Sequence, residues 1–361
     1  MNAPHPSTFI NANDVTMIRD NAAAAETLGH LHPAQLELVY RLQWFKLLVP
    51  GAYGGLELSL PNLVRLQEAI SWADGSVGWV MTLCCGAGWF GGFMQPKTAK
   101  TIFGDPQVCL AGSGAVTGDA ELTESGYHLT GTWNYASGAD HATYFTANCA
   151  IKKNGEAVIG DDGQPLVLPF VIPKKDVALL PTWKYVGMVA TGSHSFRIDQ
   201  ALLPADNSFR IDPAHAMVDG ALYQYPFLQL AEATLAVNLS GMAIHFTDLC
   251  RDIFDKKVKQ PKITPAHAAQ MNTELASGVA GLQSAREELF SAVDASWEQP
   301  GEAQLKAVSK TSRALAILSR KVVDNLFIYC GLMAAAPDTE INRVWRDIHT
   351  AGQHALLTFA E

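Results

Sequence analysis

The change in hydrophobic periodicity along the chain is the feature that most restricts its fold. Up to about residue 105 the apolar residues are three and four apart, as on the buried face of a helix; Leu63, Leu66 and Ile70 are an example. From about 108 to 209 apolar and polar residues alternate, and glycine and proline interrupt the stretch at short intervals. The helical spacing then returns. This order predicts an α+β multidomain protein whose strands form a middle unit between two helical units.

Local patterns support this division. Residues 128–138 (HLTGTWNYASG), 167–173 (VLPFVIP) and 195–199 (SFRID) are typical of strands in a small antiparallel barrel or sandwich. The Gln299-Pro300-Gly301 break separates two long helical stretches, and about four long helices would form a bundle. The predicted domains are an N-terminal helical domain at 1–105, a β domain at 106–220 and a helical bundle at 221–361.

Composition narrows the class of protein. The 361 residues are 48% apolar, 17% of them are charged, and the formal net charge is −9. This length predicts two or three domains, and the charge offers no basic stripe for nucleic acid. The N-terminus lacks the basic and apolar regions of a signal peptide, and the cysteines show no metal-binding spacing. We therefore expect a cytoplasmic protein with reduced thiols and neither nucleic acid nor a membrane as partner.

One uncharged segment and several absent motifs refine this expectation. Residues 77–94 carry no charge, but five of them are glycine, so we interpret the segment as a buried helix that lines a pocket. GSGAVTG at 112–118 is one residue longer than a dinucleotide fingerprint and is followed by β-like sequence, which favours loop glycines. No P-loop, HExxH or GxSxG motif occurs. His349 and His354 are five residues apart, which does not place them on one helix face, so we expect no metal site.

Three further segments carry a resemblance to a known family. VPGAYGG (49–55) precedes LVRLQEAISWADGSVGW (63–79), VGMVATGSHSFRIDQALLPADN (186–207) ends the β-like stretch, and INRVWRDIHTAGQH (341–354) lies near the C-terminus. In this order they resemble segments of the acyl-CoA dehydrogenase superfamily. The resemblance implies an N-terminal helical domain, a central β-barrel and a C-terminal four-helix bundle. It also implies a flavin between barrel and bundle, and a homotetramer.

The dehydrogenase branch of this superfamily needs a carboxylate base beside the flavin. In most members a Glu follows the helix that corresponds to Arg346-Asp347, but its position falls on Ala355 here. No acidic residue occurs between Asp347 and the terminal Glu361. The superfamily's other location for the base is on the first bundle helix, close to the register of Glu232. An acyl-CoA dehydrogenase or oxidase with FAD and Glu232 as a displaced base is therefore one alternative, and a helix-surface or capping charge is the plainer interpretation of Glu232.

The chain resembles the two-component monooxygenase branch more closely. There the barrel strand reads W-x-F-x-SG and the C-terminus reads R-x-WRD followed by His; this chain has WNYASG (133–138), RVWRD (343–347) and His354. The oxygenase components of 4-hydroxyphenylacetate hydroxylase and dibenzothiophene monooxygenase are of this type. In this branch reduced flavin and O2 form a C4a-hydroperoxide, which a dry pocket protects. The resemblance implies reduced FAD or FMN, O2 as co-substrate, a small aromatic or heteroaromatic substrate and a separate NAD(P)H-dependent flavin reductase.

The same resemblance assigns roles to single residues. Ser137 would donate to flavin N5 or accept from it, and His354 would be the acid or base near C4a, because a histidine pKa lies near neutral. Strand alternation would place Trp133, Tyr135 and Ser137 on one face, with Tyr135 beside the isoalloxazine. Asp347, seven residues before His354, would orient this histidine if the helix is continuous, or pair with an arginine. Structural alternatives are a barrel-core Trp133, a turn serine at 137 and a surface or helix-end histidine at 354.

The predicted residues form three groups. The catalytic residues are His354 and Ser137. The predicted cofactor-binding residues are Ser113, Trp133, Tyr135, Ser137, Gly138, Thr191, Gly192 and Ser193. The predicted substrate pocket consists of Trp79, Leu83, Cys84, Ala87 and His354.

One departure from the phenol-hydroxylating relatives concerns the substrate. A second active-site His of those relatives falls on Ala87 here, beside Cys84, Cys85 and Gly86. We expect a small, apolar wall and therefore a larger or more apolar substrate, or chemistry at nitrogen or sulfur. The cysteines are interpreted as wall residues because no basic neighbour would lower their pKa. A binding protein that has lost flavin chemistry is a third class of function.

Overall fold

The computed structural model describes residues 3–358, and its helices and strands follow the predicted α–β–α order. The N-terminal helices are α1 (Ala12–Asp20), α2 (Ala22–Leu28), α3 (Pro33–Arg41), α4 (Leu60–Ala73), α5 (Gly75–Trp89) and α6 (Pro96–Phe103). The strands are β1 (Leu110–Thr123), β2 (Gly126–Ala136), β3 (Tyr144–Lys153), β4 (Glu156–Ala157), β5 (Val167–Pro173), β6 (Ala178–Leu180) and β7 (His194–Leu203). The C-terminal helices are α7 (Ala221–Gln224), α8 (Phe227–Lys257), α9 (Pro265–Glu298), α10 (Glu302–Cys330), α11 (Leu332–Ala335), α12 (Glu340–Ala351) and α13 (Ala355–Thr358).

Helix α5 contains most of the uncharged segment and lies in the protein interior. Asp74, the single residue between α4 and α5, has an extended backbone, and its carboxylate accepts the Val77 N–H at 3.0 Å. This side-chain cap satisfies one of the amides that a helix start leaves free. All residues of α5 except Leu83 and Gly86 are buried. The lack of charge is thus explained by burial within the fold, as the sequence predicted.

The middle unit is one strongly curved sheet. Its strand order is β4-β3-β1-β2-β7-β6, with β5 also paired to β3. The pairs are antiparallel except for β1 with β3, which is parallel, so the prediction of a purely antiparallel sheet was wrong for that pair. The large core residues Trp133, Phe145, Phe170 and Phe196 all come from strands. The sheet therefore wraps around its own core in the manner of a barrel, although the strand pairings within residues 3–358 do not close into a ring.

A β-bulge changes the predicted faces of β2. The pairing of β2 with β7 shifts register between Trp133 and Ala136, and Tyr135 has a left-handed φ of 66°. An extra residue in one strand breaks the alternation of its side chains. Trp133 and Ala136 consequently both point into the sheet's core, whereas Tyr135 is 62% exposed. The prediction that Trp133, Tyr135 and Ser137 share one face is therefore wrong.

The C-terminal unit is built from three long helices. Helix α9 ends at Glu298 and α10 begins at Glu302, so the Gln299-Pro300-Gly301 break was predicted correctly. Instead of a fourth long helix, the 12-residue α12 packs on α8, and α4 of the N-terminal unit packs on α8 as well. Within the described residues only α8 is long and apolar enough to cross a membrane, and 78% of its most apolar window is buried inside the protein.

A buried ion pair joins the two helical units. Arg286 on α9 forms two hydrogen bonds to Glu68 on α4, at 2.8 and 2.7 Å, and Ser240 on α8 donates to the same carboxylate at 2.5 Å. Arg286 also donates to the backbone oxygen of Pro4 at 2.7 Å. Bidentate pairing with further hydrogen bonds is what a buried carboxylate and guanidinium require.

Candidate active site

A cavity of about 270 Å³ lies where α5, the sheet and α8 meet, and the turn after α12 covers one side of it. Its wall is mostly apolar and includes Leu83, Ala87, Phe90, Phe227 and Leu235. No Asp, Glu, Lys or Arg side chain of residues 3–358 lines it. A concave, mostly apolar cavity with a few polar groups is the usual form of a small-molecule site.

The polar groups of the cavity concentrate on the side of the sheet. Ser113 and Ser137 line it together with Asn148, whose amide donates to the backbone oxygen of Gly114 at 2.9 Å. A side-chain carbon added at Gly114 would meet nothing within 4 Å, so the backbone is open to the cavity at this point. Hydroxyl, amide and backbone groups beside apolar walls suit a planar heterocycle with nitrogen and oxygen atoms along its edge. These residues therefore fit a flavin ring.

Ser137 belongs to a line of buried hydrogen bonds. Its Oγ accepts the indole N–H of Trp79 at 3.1 Å and lies 2.7 Å from the Oγ of Ser193. The Oγ of Ser193 lies 2.7 Å from the Oγ1 of Thr191, which donates to the backbone oxygen of Met188 at 2.7 Å. Ser137 is thus fixed by neighbours on α5 and on the 188–193 turn, and it is not an isolated turn serine.

The geometry of the 188–193 turn depends on a contact with α12. Met188 and Gly192 both have left-handed φ angles, of 54° and 51°. The Met188 N–H donates to the carboxylate of Asp347 at 2.5 Å. Burial, followed by the nearby charge of Asp74, raises the pKa of Asp347 to about 8. This carboxyl therefore holds the turn that carries Thr191 and Ser193.

Asp347 does not orient His354. Helix α12 ends at Ala351, and Gly352 and Gln353 separate it from His354, so the two side chains are not on one continuous helix. The prediction that Asp347 would orient the histidine is therefore wrong. The alternative prediction was that Asp347 pairs with an arginine. The hydrogen-bond partner of its carboxyl is instead the Met188 N–H.

His354 lines the cavity beside Trp79. The two rings meet edge to face with centroids 5.9 Å apart. Burial lowers the pKa of His354 below its ordinary 6.5, so the imidazole is neutral near pH 7. Its Nδ1 accepts the Leu356 N–H at 3.4 Å, which places the proton of the neutral ring on Nε2. The ring can then donate one hydrogen bond to a molecule in the cavity.

Most of the predicted site residues lie together. Ser113, Ser137, Leu83, Ala87 and His354 line the cavity. Trp79 bridges Ser137 and His354. Gly138, Thr191, Gly192 and Ser193 lie directly behind Ser137, and Gly138 N–H donates to the Thr191 backbone oxygen at 2.8 Å.

Trp133 and Cys84 do not reach the cavity. Trp133 has no exposed surface, stacks on Phe196 at 5.3 Å, and donates to the Asn148 backbone oxygen inside the sheet. Its assignment as a cofactor contact is wrong, because the bulge keeps it in the core. Cys84 was predicted in the pocket wall, but its thiol faces the Ser137 backbone oxygen at 3.5 Å. A hydrogen bond with Cys109 and burial raise the pKa of the Cys84 thiol well above its ordinary value.

Tyr135 occupies an exposed position next to the bulge. Its hydroxyl lies 3.3 Å from that of Tyr185, and its ring packs edge to face with Trp183. It does not line the cavity. A role beside the isoalloxazine stays a prediction.

The displaced base of the dehydrogenase alternative points away from the cavity. Glu232 is buried and forms an ion pair with Arg313 at 2.6 Å, and it also accepts a hydrogen bond from Ser309. Both partners are on α10, whereas the neighbours Ala231 and Leu230 face the cavity. Glu232 therefore stabilises the packing of α8 on α10 and is not placed to remove a substrate proton.

Sequence reasoning missed the cavity wall that α8 provides. Phe227, Leu230, Ala231, Thr234 and Leu235 all line the cavity. Their spacing of three, one, three and one is that of a single helix face. This spacing is visible in the sequence, but it does not distinguish a cavity wall from an ordinary core contact.

Comparison with known proteins agrees with this architecture. Residues 227–359 match the family described as "Acyl-CoA dehydrogenase, C-terminal domain". Structures of XiaF from Streptomyces sp. in complex with FADH2 and glycerol (TM-score 0.84, 22% identity, 96% of this chain and 89% of that one) and of KijD3 with FMN and a dTDP-sugar (TM-score 0.76, 18% identity, 98% and 90%) share the fold. The chain thus has an acyl-CoA dehydrogenase-like fold.

The sequence relatives are more specific. A pigment production hydroxylase of Rhodococcus sp. is 29% identical over 327 residues, covering 86% of this chain and 82% of that protein. The flavin-dependent monooxygenase oxygenase subunit HsaA of Rhodococcus jostii is 24% identical, with 94% and 91% covered. The oxygenase component of p-hydroxyphenylacetate 3-hydroxylase from Acinetobacter baumannii is 24% identical, with 94% and 82% covered. Two of these relatives are thus named as an oxygenase subunit and an oxygenase component, and HsaA is named as a flavin-dependent monooxygenase.

Proposed function

We propose that this protein is the oxygenase component of a two-component flavin-dependent monooxygenase. It would bind reduced FAD or FMN delivered by a separate flavin reductase and place one atom of O2 on an aromatic substrate, while the other atom leaves as water. The observation that carries this proposal is that Ser137 and His354 line one uncharged cavity between sheet and bundle and that Trp79 contacts both of them.

Each residue has a distinct role in this proposal. A bound reduced flavin supplies the two electrons that activate O2. Ser137 hydrogen-bonds the edge of the flavin ring, and Trp79 fixes the Ser137 hydroxyl in place. His354 donates through Nε2–H to the reacting oxygen or to the substrate's polar group. The apolar walls around Leu83 and Phe227 exclude the water that would divert the oxygen to hydrogen peroxide.

The cavity lining favours an uncharged substrate. No charged side chain of the described chain is available there to pair with a carboxylate, and an unpaired ion is costly to bury. Ala87, at the position of the second histidine in phenol-hydroxylating relatives, adds a small apolar surface. We therefore infer a neutral aromatic or heteroaromatic substrate.

The test couples the protein to an unrelated flavin reductase, NADH, and either FAD or FMN. A panel of neutral aromatic compounds is compared with matched aromatic carboxylates, and hydroxylated product and H2O2 are measured per O2 consumed. We expect product from a neutral compound, with one oxygen atom traceable to labelled O2. Quantitative H2O2 with every compound in the panel would contradict the proposal.

The same protein preparation tests the alternative that the protein is an acyl-CoA dehydrogenase or oxidase. An acyl-CoA panel with an artificial electron acceptor should give no reduction, and Glu232→Gln should reduce stability without a specific effect on turnover. Acyl-CoA oxidation abolished by Glu232→Gln would establish the alternative.

Assembly, partner and location complete the proposal. A separate flavin reductase is supported by the names of two relatives, an oxygenase subunit and an oxygenase component. A homotetramer is supported by the resemblance and by exposed apolar residues of the bundle, among them Ile328 and Leu332. A cytoplasmic location stays a prediction from the sequence.

A further inference from the structure

The hydrogen bonds behind Ser137 have fixed ends. The indole N–H of Trp79 can only donate, and the backbone oxygen of Met188 can only accept. Between them lie the hydroxyls of Ser137, Ser193 and Thr191, which we call the hydroxyl chain. Its successive distances, from Trp79 Nε1 to Met188 O, are 3.1, 2.7, 2.7 and 2.7 Å.

The two ends set the direction of every proton in the hydroxyl chain, because each hydroxyl has a single proton to give. Thr191 donates to the Met188 oxygen, so Thr191 must accept from Ser193. Ser193 has then used its proton and must accept from Ser137. Ser137 accepts from Trp79 and donates to Ser193. It keeps one lone pair, and no proton, for a ligand in the cavity that it lines.

Burial preserves this direction. Ser137, Ser193 and Thr191 are 5%, 3% and 1% exposed, so bulk water does not compete for their protons. Gly192, with its left-handed φ of 51°, lets the polypeptide backbone turn between Thr191 and Ser193. A Cβ there would also lie 2.2 Å from the Asp140 carboxylate.

We infer that the hydroxyl chain leaves Ser137 only a hydrogen-bond acceptor toward a ligand in the cavity, and that the protein thereby distinguishes reduced from oxidised flavin. This inference rests on the proposed function, because it takes flavin N5 as the ligand atom beside Ser137. N5 carries a hydrogen in reduced flavin and only a lone pair in oxidised flavin. Reduced flavin therefore gains a hydrogen bond that oxidised flavin lacks. Thr191 and Ser193 are positioning residues, since in the described structure neither lines the cavity.

Thr191→Val is the sharpest test. Valine keeps the shape of the side chain and removes the acceptor of Ser193, whose proton then turns to Ser137. The Ser137 proton is released toward the cavity, where it can satisfy the N5 lone pair of oxidised flavin. We expect the ratio of the dissociation constants for oxidised and reduced flavin to fall about tenfold, as one hydrogen bond predicts. A tenfold change equals a shift of about 30 mV to a more negative midpoint potential for the bound two-electron couple.

Both dissociation constants are measured anaerobically with FAD and FMN, and the midpoint potential by spectroelectrochemical titration. Ser193→Ala should shift the ratio in the same direction, which covers the case of an unstable Thr191→Val. Thr191→Ser, which retains the hydroxyl, should restore the wild-type ratio. Ser137→Ala should weaken the binding of reduced flavin and leave the binding of oxidised flavin unchanged.

Ser195→Ala is the matched control. Ser195 is equally buried and close in sequence, but its hydroxyl bonds Asn134 and Thr182 and not the hydroxyl chain, so the ratio should not move. Wild-type ratios in both Thr191→Val and Ser193→Ala would overturn the inference and leave the proposed function intact. A wild-type protein that binds neither flavin in either redox state would instead overturn the proposed function.

Discussion

His354 shows at the scale of a single residue how burial sets a protonation state. Its lowered pKa means that the charged imidazolium forms only below about pH 6.5, the ordinary value. Protonation would remove the Nδ1 contact with Leu356 and put a charge into an uncharged cavity. We expect kcat/KM for a neutral substrate to be constant near neutral pH and to fall on the acid side, with a midpoint below 6.5.

His354→Gln should lose this acid limb and lower kcat on the order of 100-fold, the usual contribution of a proton-transferring group. The measurement is a pH profile of product formation with saturating reduced flavin. An unchanged acid limb in the variant would assign the titration to another group.

Asp347 should affect the stability of the protein, and its effect should grow as the pH rises, whereas that of His354 grows as the pH falls. Its pKa of about 8 is raised above the unfolded value of 3.8, so the folded state binds a proton that the unfolded state has lost between these values. Stability from this group is complete below the unfolded pKa and is lost as pH rises through the folded one. Asp347→Asn should therefore become more stable relative to wild type from pH 5 to pH 8.

Urea midpoints at several pH values test this expectation. Asp338→Asn, at an exposed position, is the control, and its urea midpoints should change with pH in parallel with those of wild type. Parallel curves for Asp347→Asn as well would show that the carboxyl is ionised in the folded protein.

Gly86 offers a way to reshape the cavity without disturbing the fold. An added Cβ would meet nothing within 4 Å, whereas at Gly78 on the same helix it would lie 2.1 Å from Ser71 Oγ. Gly86→Leu should raise KM for bulky substrates more than for small ones, with stability kept or improved by about 0.5–1 kcal/mol from better helix propensity. Gly78→Ala should lose stability. Equal KM changes for all substrate sizes would indicate that Gly86 does not limit substrate volume.

At this scale the sequence located residues where a motif fixed the backbone better than where side-chain direction mattered, and the roles of the site residues stay predictions. Ser137 and His354 line one cavity. Trp133 was misplaced because a bulge, which depends on pairing with a distant strand, is not visible in local alternation. Cys84 was misplaced because α5 is buried on nearly all sides, so its pattern does not reveal which side faces the cavity.

Among the elements, α4 and α9 are joined by two ion pairs, Arg65–Asp294 and the buried pair Arg286–Glu68. Glu68 is fully buried and Arg286 is 3% exposed. Removing one partner leaves an unpaired buried charge, which costs about 3–5 kcal/mol. Arg286→Met should therefore cause a loss of this size in the free energy of unfolding, measured by urea denaturation.

Two comparisons sharpen this test. The double variant Glu68→Leu/Arg286→Met should be more stable than Arg286→Met, because no unpaired charge remains. The exposed pair Lys306–Glu302 is the control, and Lys306→Met should have no measurable effect. A double variant less stable than either single one would show that the hydrogen bonds to Ser240 and Pro4 dominate.

The helices and their breaks could be predicted because they depend on local signals, such as the Gln299–Gly301 break. The parallel pairing of β1 with β3 could not, because it is set by contacts between residues far apart in sequence. The three-helix core with α12 added differs from the expected four long helices for a related reason. Helix length follows from local pattern, but which short helix completes a bundle follows from packing.

For the whole molecule, exposed apolar side chains at the end of the bundle point to association. Ile328 on α10 and Leu332 on α11 are 73% and 91% exposed. We expect wild-type protein to sediment as an oligomer and Ile328→Glu/Leu332→Glu to form a smaller species. Ile159→Glu, at an exposed apolar position between β4 and β5, is the control and should not change the mass. A monomeric wild-type protein would refute the expected homotetramer.

The origin of the three central residues has a consequence for how the protein fails. Trp79 comes from the first helical unit, Ser137 from the end of a strand in the sheet, and His354 from the turn after α12. The cavity exists only while all three units are docked, although each can keep its own helices or strands when they separate slightly. Mild heating or low denaturant should therefore lower the hydroxylated product formed per O2 consumed and raise the release of hydrogen peroxide. Both changes should precede any change in the circular dichroism of the protein.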